Sequence, residues 1–475
     1  MASSRKPQPS KRGSTGLVAR VAEKIRNIVG AGDRLAVGLS GGVDSVVLLD
    51  LLARLIPRAR FRLSAVHVNH QLSPNAPRWA RFCRALCRAR GIPLRTAKVT
   101  LPRGDSVEAA ARAARHQIFR TLRADYVVLA HNQDDQTETL LLQLLRGAGA
   151  KGLAAMPFLK DERATIRAQD GARKNASGAS RVTRHASPAI LRPLLEVPRS
   201  EIERYARQRG LEWVEDESNT DTYFLRNFVR HDVLPVIATR YPAYRATLTR
   251  SARNLAEAAQ LLDELGALDA AGQAEAGTLA VAALRRLAPP RAKNLLRCFL
   301  SSHGLDMPAA DRLDEALRQA LTAKQDARVL IELDGAHLRR FAGGLHVVRE
   351  VGRVPPAYAK RWQGESEIAL PELGGVLMLQ RGRGAGISQA RLRGRRVTIG
   401  VRRGGERYQP DCGRPRRSLK NLLQEARIPP WQRGRIPLIF CDGELVWAAG
   451  VGGVDCAYRC VGDEPALRPL WQPFA

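Results

Sequence analysis

The sequence predicts an α/β protein: a doubly wound parallel-sheet domain first, then a helical domain, then a small α+β domain at the C-terminus. Three observations predict it. From Leu17 to about Asp232, short apolar runs alternate with longer amphipathic ones, the rhythm of a parallel sheet with helices on both faces. From Leu234 to about Arg349, Ala/Leu patterning at helical spacing takes over, as between Leu248 and Leu265. Near the end, two short apolar runs flank Asp442-Gly443, a favoured tight-turn pair.

Taken in order, residues 35–39 read as a buried strand, followed by a glycine turn and a helix over 44–55. A second strand covers 63–68, a helix 77–90, a strand 94–99, a helix 107–122 and a strand 126–130. Ligands of such sheets gather beyond the C-terminal ends of the strands. The Gly-, Ser- and Arg-rich stretch 161–187 breaks the rhythm and reads as a flexible insertion. The domain plan is a disordered basic tail over 1–16, a catalytic domain over 17–233, and a helical domain over 234–350. A linker over 351–390 and a C-terminal domain over 391–475 complete it. In that last domain 397–401 is a strand, 419–426 a helix, and 438–440 with 445–448 a hairpin.

Composition narrows the function. The chain of 475 residues carries 77 Lys+Arg against 46 Asp+Glu, a formal charge of +31. Only 11 of those cations are Lys and 66 are Arg, a bias that genome composition shares in producing. The resulting field attracts polyanions, and nucleic acid is the leading partner class. No apolar run approaches the ~20 residues of a membrane span. No apolar signal core precedes Glu23, the first acidic residue, so a cytoplasmic location is expected. Seven cysteines, with no Cys-x-x-Cys pair, read as spare buried thiols rather than a disulfide framework. Nothing in the chain fixes its oligomeric state, and a homodimer stays open.

The sharpest local signal is Ser40-Gly41-Gly42-Val43-Asp44-Ser45, directly after a strand and opening a helix. Its glycines let backbone N–H groups approach an anion, and the helix N-terminus adds partial positive charge. Ser40 and Ser45 offer hydroxyl donors. Asp44 beside a phosphate implies an intervening cation, so it is the expected Mg²⁺ ligand. The absence of a Lys where a Walker loop demands one argues against an ordinary kinase or motor ATPase. The second signal, 131–139, follows the strand 126–130 and so shares the ligand edge. Its Asp135 and Glu138 share one helix face and make a pocket for an amine or a metal, or simply complement the helix dipole.

The first loop resembles the PP-loop of the N-type ATP pyrophosphatases, which cleave ATP between its α and β phosphates. The resemblance tightens to the tRNA(Ile)-lysidine synthetase family. It is carried by the loop at 40–45, Val66-His67-Val68-Asn69-His70, residues 107–112 through His116, and the 131–139 motif. Arg192-Pro193-Leu194-Leu195 and the run from Trp213 through Asn219, Tyr223 and Arg226-Asn227 extend it. It reappears at 397–460.

The resemblance implies ATP and Mg²⁺ as cofactors. It implies free L-lysine and the CAU-anticodon isoleucine tRNA as substrates, and no membrane. The wobble cytidine is adenylated at its C2 oxygen, and the ε-amine of lysine then displaces AMP. The same resemblance assigns Ser40, Gly41, Gly42, Val43, Asp44, Ser45 and His67 to ATP. Asp135 and Glu138 are assigned to lysine, and Asp44, Arg112, His131 and Arg226 to catalysis. Arg226 and Arg230, with Arg416, Arg417 and Lys420 of the C-terminal domain, are assigned to tRNA. His70 joins His67 and His131 as a site-wall residue. Two rivals stay open at this point: a tRNA 2-thiolating PP-loop enzyme, and a non-catalytic basic RNA-binding protein.

Overall fold

The computed structural model describes residues 12–71, 73–100, 107–161, 187–215, 217, 221–271, 277–323, 329–349, 352, 354–355 and 357–474. They fall into two compact units that divide at residues 268 and 269. The expected insertion at 161–187 lies almost wholly outside the described residues.

The first unit is built on a six-stranded sheet. Its helices α1 (Arg12–Ile25), α2 (Val43–Ala59), α3 (Ala76–Ala89), α4 (Val107–Arg120), α5 (Gln133–Leu145) and α6 (Ala150–Leu153) interleave with its strands. The strands are β1 (Arg34–Gly38), β2 (Arg62–Asn69), β3 (Leu94–Lys98), β4 (Tyr126–Val128), β5 (Leu159–Lys160) and β6 (Ala189–Leu191). Their order is β3-β2-β1-β4-β6-β5. All pairings are parallel except that of β5 with β6. Chain order runs outward in one direction from β1 to β3 and in the other from β4. The reversal falls between β1 and β4, where an open α/β sheet makes its ligand crevice.

Helix α2 is apolar nearly all round, from Val43, Val46 and Val47 to Leu52 and Leu55, because it is buried against both the sheet and neighbouring helices. The helix Arg199–Gln208 and α1 join that core. A second core, Val66, Phe119, Val127, Leu129 and Ile190, seats α4. The sheet is therefore covered on both faces, as expected. One expectation is corrected at the start: α1 begins at Arg12, inside the supposed tail of 1–16, because Leu17 and Val21 are buried in the core.

The second unit departs further from expectation. Residues 281–322 supply three helices, but Leu330–Leu333, Ala336–Phe341 and Gly344–Arg349 are strands. With Thr278–Ala280 they form an antiparallel sheet, so the segment to 350 is α+β rather than helical. The linker expected over 351–390 is also corrected. Ala359–Arg361 pairs with Val397–Gly400, and Gly375–Arg383 pairs along nine residues with Pro465–Pro473. Those strands belong to the C-terminal fold.

The hairpin Leu438–Cys441 to Glu444–Ala448 matches its prediction. Asp442 and Gly443 both take positive φ, 49° and 88°, the backbone of a tight type I′ turn. The cysteine expectation is corrected as well. Cys412 and Cys456 are joined in a disulfide, while Cys83, Cys87, Cys298, Cys441 and Cys460 are free thiols. The two bonded residues are 44 positions apart, and only the tertiary fold brings them together.

Candidate active site

The loop after β1 and the loop after β4 meet at the strand-order reversal. Gly41 takes φ +100°, and a Cβ there would meet a Val214 methyl at 2.8 Å, so both backbone and space demand glycine. The Val214 amide donates to the Gly41 carbonyl at 3.0 Å, which pins the loop from the side. Ser45 donates its hydroxyl to the Gly42 carbonyl (2.9 Å) and accepts from the Gly41 amide (3.1 Å). Ser40 and Ser45 hydroxyls lie 3.1 Å apart, and Ser40 accepts from the Gly42 amide at 3.3 Å. The loop is thus preorganised around the start of α2, with Val43 buried beneath it.

Asp44 is held at the centre. The Asn132 side-chain amide donates to it at 3.0 Å. Burial pushes its carboxyl up to about 6, with Asp135 adding to the effect and Arg199 opposing it. Asn132 is 2% exposed and has a second task. Its side-chain oxygen accepts the Asp134 and Asp135 amides at 2.9 and 3.1 Å, while Asp135 accepts the Asn132 amide at 2.9 Å. This is a complete capping box on α5. One buried Asn therefore ties the two loops together, a role that sequence reading missed. Its N-cap position before Asp134-Asp135 was the available signal.

Asp135 and Glu138 do share a face of α5, as their spacing predicts. Glu138 is fully buried. Arg226 donates to it through Nε at 2.7 Å, and Arg230 at 2.6 and 3.0 Å. Arg226 also reaches Asp135 at 3.2 Å. Arg226 lies in Leu225–Phe228 and Arg230 in the π-helical turn Val229–Val233, which projects both side chains to one side. These arginines were expected to contact RNA phosphate or the target cytidine. The structure turns them inward, onto the acidic pair, because a buried carboxylate needs a cation. Asp134, in turn, accepts the Arg199 amide and pairs with Arg245.

The remaining predicted residues divide. His67 is buried, and its Nδ1 lies 2.9 Å from the Leu39 carbonyl, so it braces the end of β1 rather than standing open. Burial lowers its affinity for a proton. His131 lies three residues past the end of β4, and its Nδ1 is buried without a partner. Burial, then Arg192, Arg226, Arg115 and Arg112, hold its imidazole well below the usual histidine range, so it is neutral. His70 also has a buried Nδ1 without a partner. Arg112 is exposed on α4. Asp216, Ser218 and Asn219 of the 213–219 segment lie outside the described residues.

In the second unit, Arg416 pairs with Asp455 and Glu444, and Arg417 with Glu425, while Lys420 is exposed. Arg416 and Arg417, both partly exposed, thus cross-link the unit internally. Among the described residues, no cluster of three or more His, Cys, Asp or Glu side chains is placed to hold a metal. Mg²⁺ can be held by one carboxylate plus substrate phosphates, and Asp44 fits that mode.

This geometry defines a class. A model of the PP-loop domain matches residues 17–237, so the first unit is a PP-loop nucleotide-dependent domain and uses ATP. A TilS substrate binding domain matches 279–346, and a TilS substrate C-terminal domain matches 397–471. The tRNA(Ile)-lysidine synthase of Nitrosomonas europaea is 45% identical over 94% of both chains. That of an Azoarcus species is 41% identical over 94% of this chain and 93% of its own. That of Chromobacterium violaceum is 42% identical over 92% and 95%. The chain belongs to the tRNA(Ile)-lysidine synthase family.

Proposed function

We propose that the chain ligates L-lysine to C2 of the wobble cytidine of the CAU-anticodon isoleucine tRNA, with ATP converted to AMP and pyrophosphate. The observation that carries this reading is the pairing of the two loops. A phosphate cradle and an acidic pocket stand at one strand-order reversal, tied by the Asn132–Asp44 hydrogen bond.

The chemistry needs both halves. The C2 oxygen of cytosine is a poor leaving group. Its attack on the α-phosphorus expels pyrophosphate and converts it into part of AMP. The ε-amine of lysine then forms the C–N bond at C2 as the C2–O bond breaks and AMP departs. That amine must lose a proton, since its ordinary pKa is ~10.4. The 40–45 loop binds the polyphosphate through its amides and the start of α2. Mg²⁺, when bound, neutralises phosphate charge, and Asp44 is its protein ligand. Asp135 and Glu138 hold the α-amine of lysine and leave the ε-amine free. Arg226 and Arg230 occupy that cation position in the free protein, so lysine exchanges with a guanidinium. The enzyme works in the cytoplasm, where its substrates are. Among the described residues, no helix is long and apolar enough to cross a membrane.

Sulfur delivery is disfavoured by the state of the Cys83 thiol beside the loop. Cys83 Sγ would lie 3.3 Å from a Cβ at Gly41, but burial pushes that thiol up to about 12. A sulfur carrier needs the opposite, an accessible thiolate.

Pyrophosphate release with tRNA, measured with and without lysine, tests the reaction. Adenylated tRNA accumulates without lysine, and lysidine and AMP form on its addition. Asp135→Asn and Glu138→Gln should raise the lysine KM by 10-fold or more and change tRNA adenylation by less than threefold. Equal loss in both half-reactions rejects the lysine pocket.

A further inference from the structure

Beside the acidic pair lies a group of cationic residues to which the proposed reaction gives no role. Arg192 directly follows β6, whose Leu191 pairs with Val128 of β4, so it stands at the same sheet edge as His131. Arg192 is 3% exposed. One of its terminal nitrogens donates to the Pro157 carbonyl at 2.8 Å, and its Nε is buried with no partner. No carboxylate among the described residues pairs with Arg192 or with Arg112. Burial, with Arg112 beside it, pulls the Arg192 guanidinium down to about 10. The same field bears on His116 of α4. Burial, then Arg112, Lys160, Arg115 and Arg192, hold that imidazole down to about 4.

A buried guanidinium is costly unless an anion answers it. The buried carboxylate of Glu138 has two arginines, and the buried Arg340 guanidinium has two carbonyls, whereas Arg192 has one carbonyl. Here the charges of Arg112 and Arg192 both bear on a neutral imidazole with a vacant nitrogen, and among the described residues no acid pairs with either guanidinium. We propose that Arg192, Arg112 and His131 form a seat for a phosphate group at the C-terminal edge of β4 and β6, distinct from the glycine loop. A guanidinium fork suits phosphate oxygens, and a neutral imidazole can donate one hydrogen bond without adding charge. The phosphate comes either from the pyrophosphate end of ATP or from the backbone of the target nucleotide. The proposal deepens the lysidine reading and rests on it for the identity of those two sources.

Two binding measurements on the full chain decide it, and neither needs turnover. Calorimetric titration with inorganic pyrophosphate reads the first source. Filter binding of the isoleucine tRNA across a salt series reads the second. Arg192→Gln should weaken one of them at least 10-fold, and Arg192→Lys, which keeps the charge and loses the fork, by less than Arg192→Gln. Arg112→Gln, on an exposed helical face, should weaken the same ligand three- to 10-fold. Loss of pyrophosphate binding assigns the seat to ATP. Loss of tRNA binding, with a salt slope shallower by about one, assigns it to the RNA backbone. If both ligands bind the folded variants within twofold of wild type, the seat is wrong. Should Arg192→Gln fail to fold, Arg112→Gln decides by the same criterion. A wild type that binds these ligands but releases no pyrophosphate would reject the lysidine reading and leave the seat standing.

Discussion

At the scale of single residues, the site trades stability for chemistry, and Asp44 is the clearest instance. Burial raises its carboxyl from 3.8 to about 6. A carboxyl whose folded value is raised contributes stability that is fully present below pH ~4 and is lost as pH rises through about 6. Near neutral pH the free protein therefore carries an unfavourable buried charge that a cation would relieve. Asp44→Asn keeps an oxygen acceptor for Asn132 and removes the charge. It should stabilise the free protein at pH 7.5 by on the order of 2 kcal/mol. It should also cut pyrophosphate release at least 100-fold. Thermal melts at pH 5 and 7.5 check the first part, because the stabilisation must shrink at the lower pH. In wild type, activity should fall on acidification through about pH 6 as Asp44 takes up a proton. No limb near 6.5 should come from His131, whose imidazole is already neutral. A melting gain that is the same at both pH values would reject the assignment.

At the scale of elements, α5 is the piece on which the two halves of the site depend. Asn132→Ala removes the cap that holds the Asp134 and Asp135 amides, and with it the donor to Asp44. Caps of this kind contribute ~1–2 kcal/mol. Hydrogen exchange should accelerate in 133–138 and stay unchanged in α2. Lysine KM should rise along with ATP KM, since one residue serves both loops. Much of this was legible beforehand. The strand–loop–helix around 40–45 and the carboxylate spacing on α5 are local patterns, and local patterns survive in sequence. What was missed is non-local. Arg226 and Arg230 meet Glu138 from about 90 positions away, which no spacing rule reveals. The strand Gly375–Arg383 finds its partner in Pro465–Pro473, so without that partner it reads as linker. The strand Ala336–Phe341 was hidden for a different reason. Its inward side is Ala336, Leu338 and then Arg340, whose guanidinium is buried against the Ala320 and Ala323 carbonyls. An inward Arg breaks the apolar alternation that announces a strand.

At the scale of the whole molecule, the charge of +31 does two different things, and they can be separated. Some arginines hold the fold. Arg416 reaches Asp455, whose side chain is 1% exposed, and Asp455 also accepts the Gln409 and Ala457 amides. Removing Arg416 leaves that carboxylate buried and short of a cation, at a cost of ~1.5–3 kcal/mol. Lys420 stands exposed at the start of the helix Leu419–Glu425, and its substitution should change stability by less than ~0.5 kcal/mol. Its charge is free to meet a phosphate, which lowers the dependence of log K on log salt by about 0.7–0.9 when lost. Arg416→Ala should therefore lower the melting temperature of residues 269–475 and leave the tRNA salt slope of the folded protein unchanged. Lys420→Ala should do the reverse. If Arg416→Ala flattens the slope while melting like wild type, its pairing with Asp455 does not hold the fold. The C-terminal basic stretch would then act as a single RNA-facing surface.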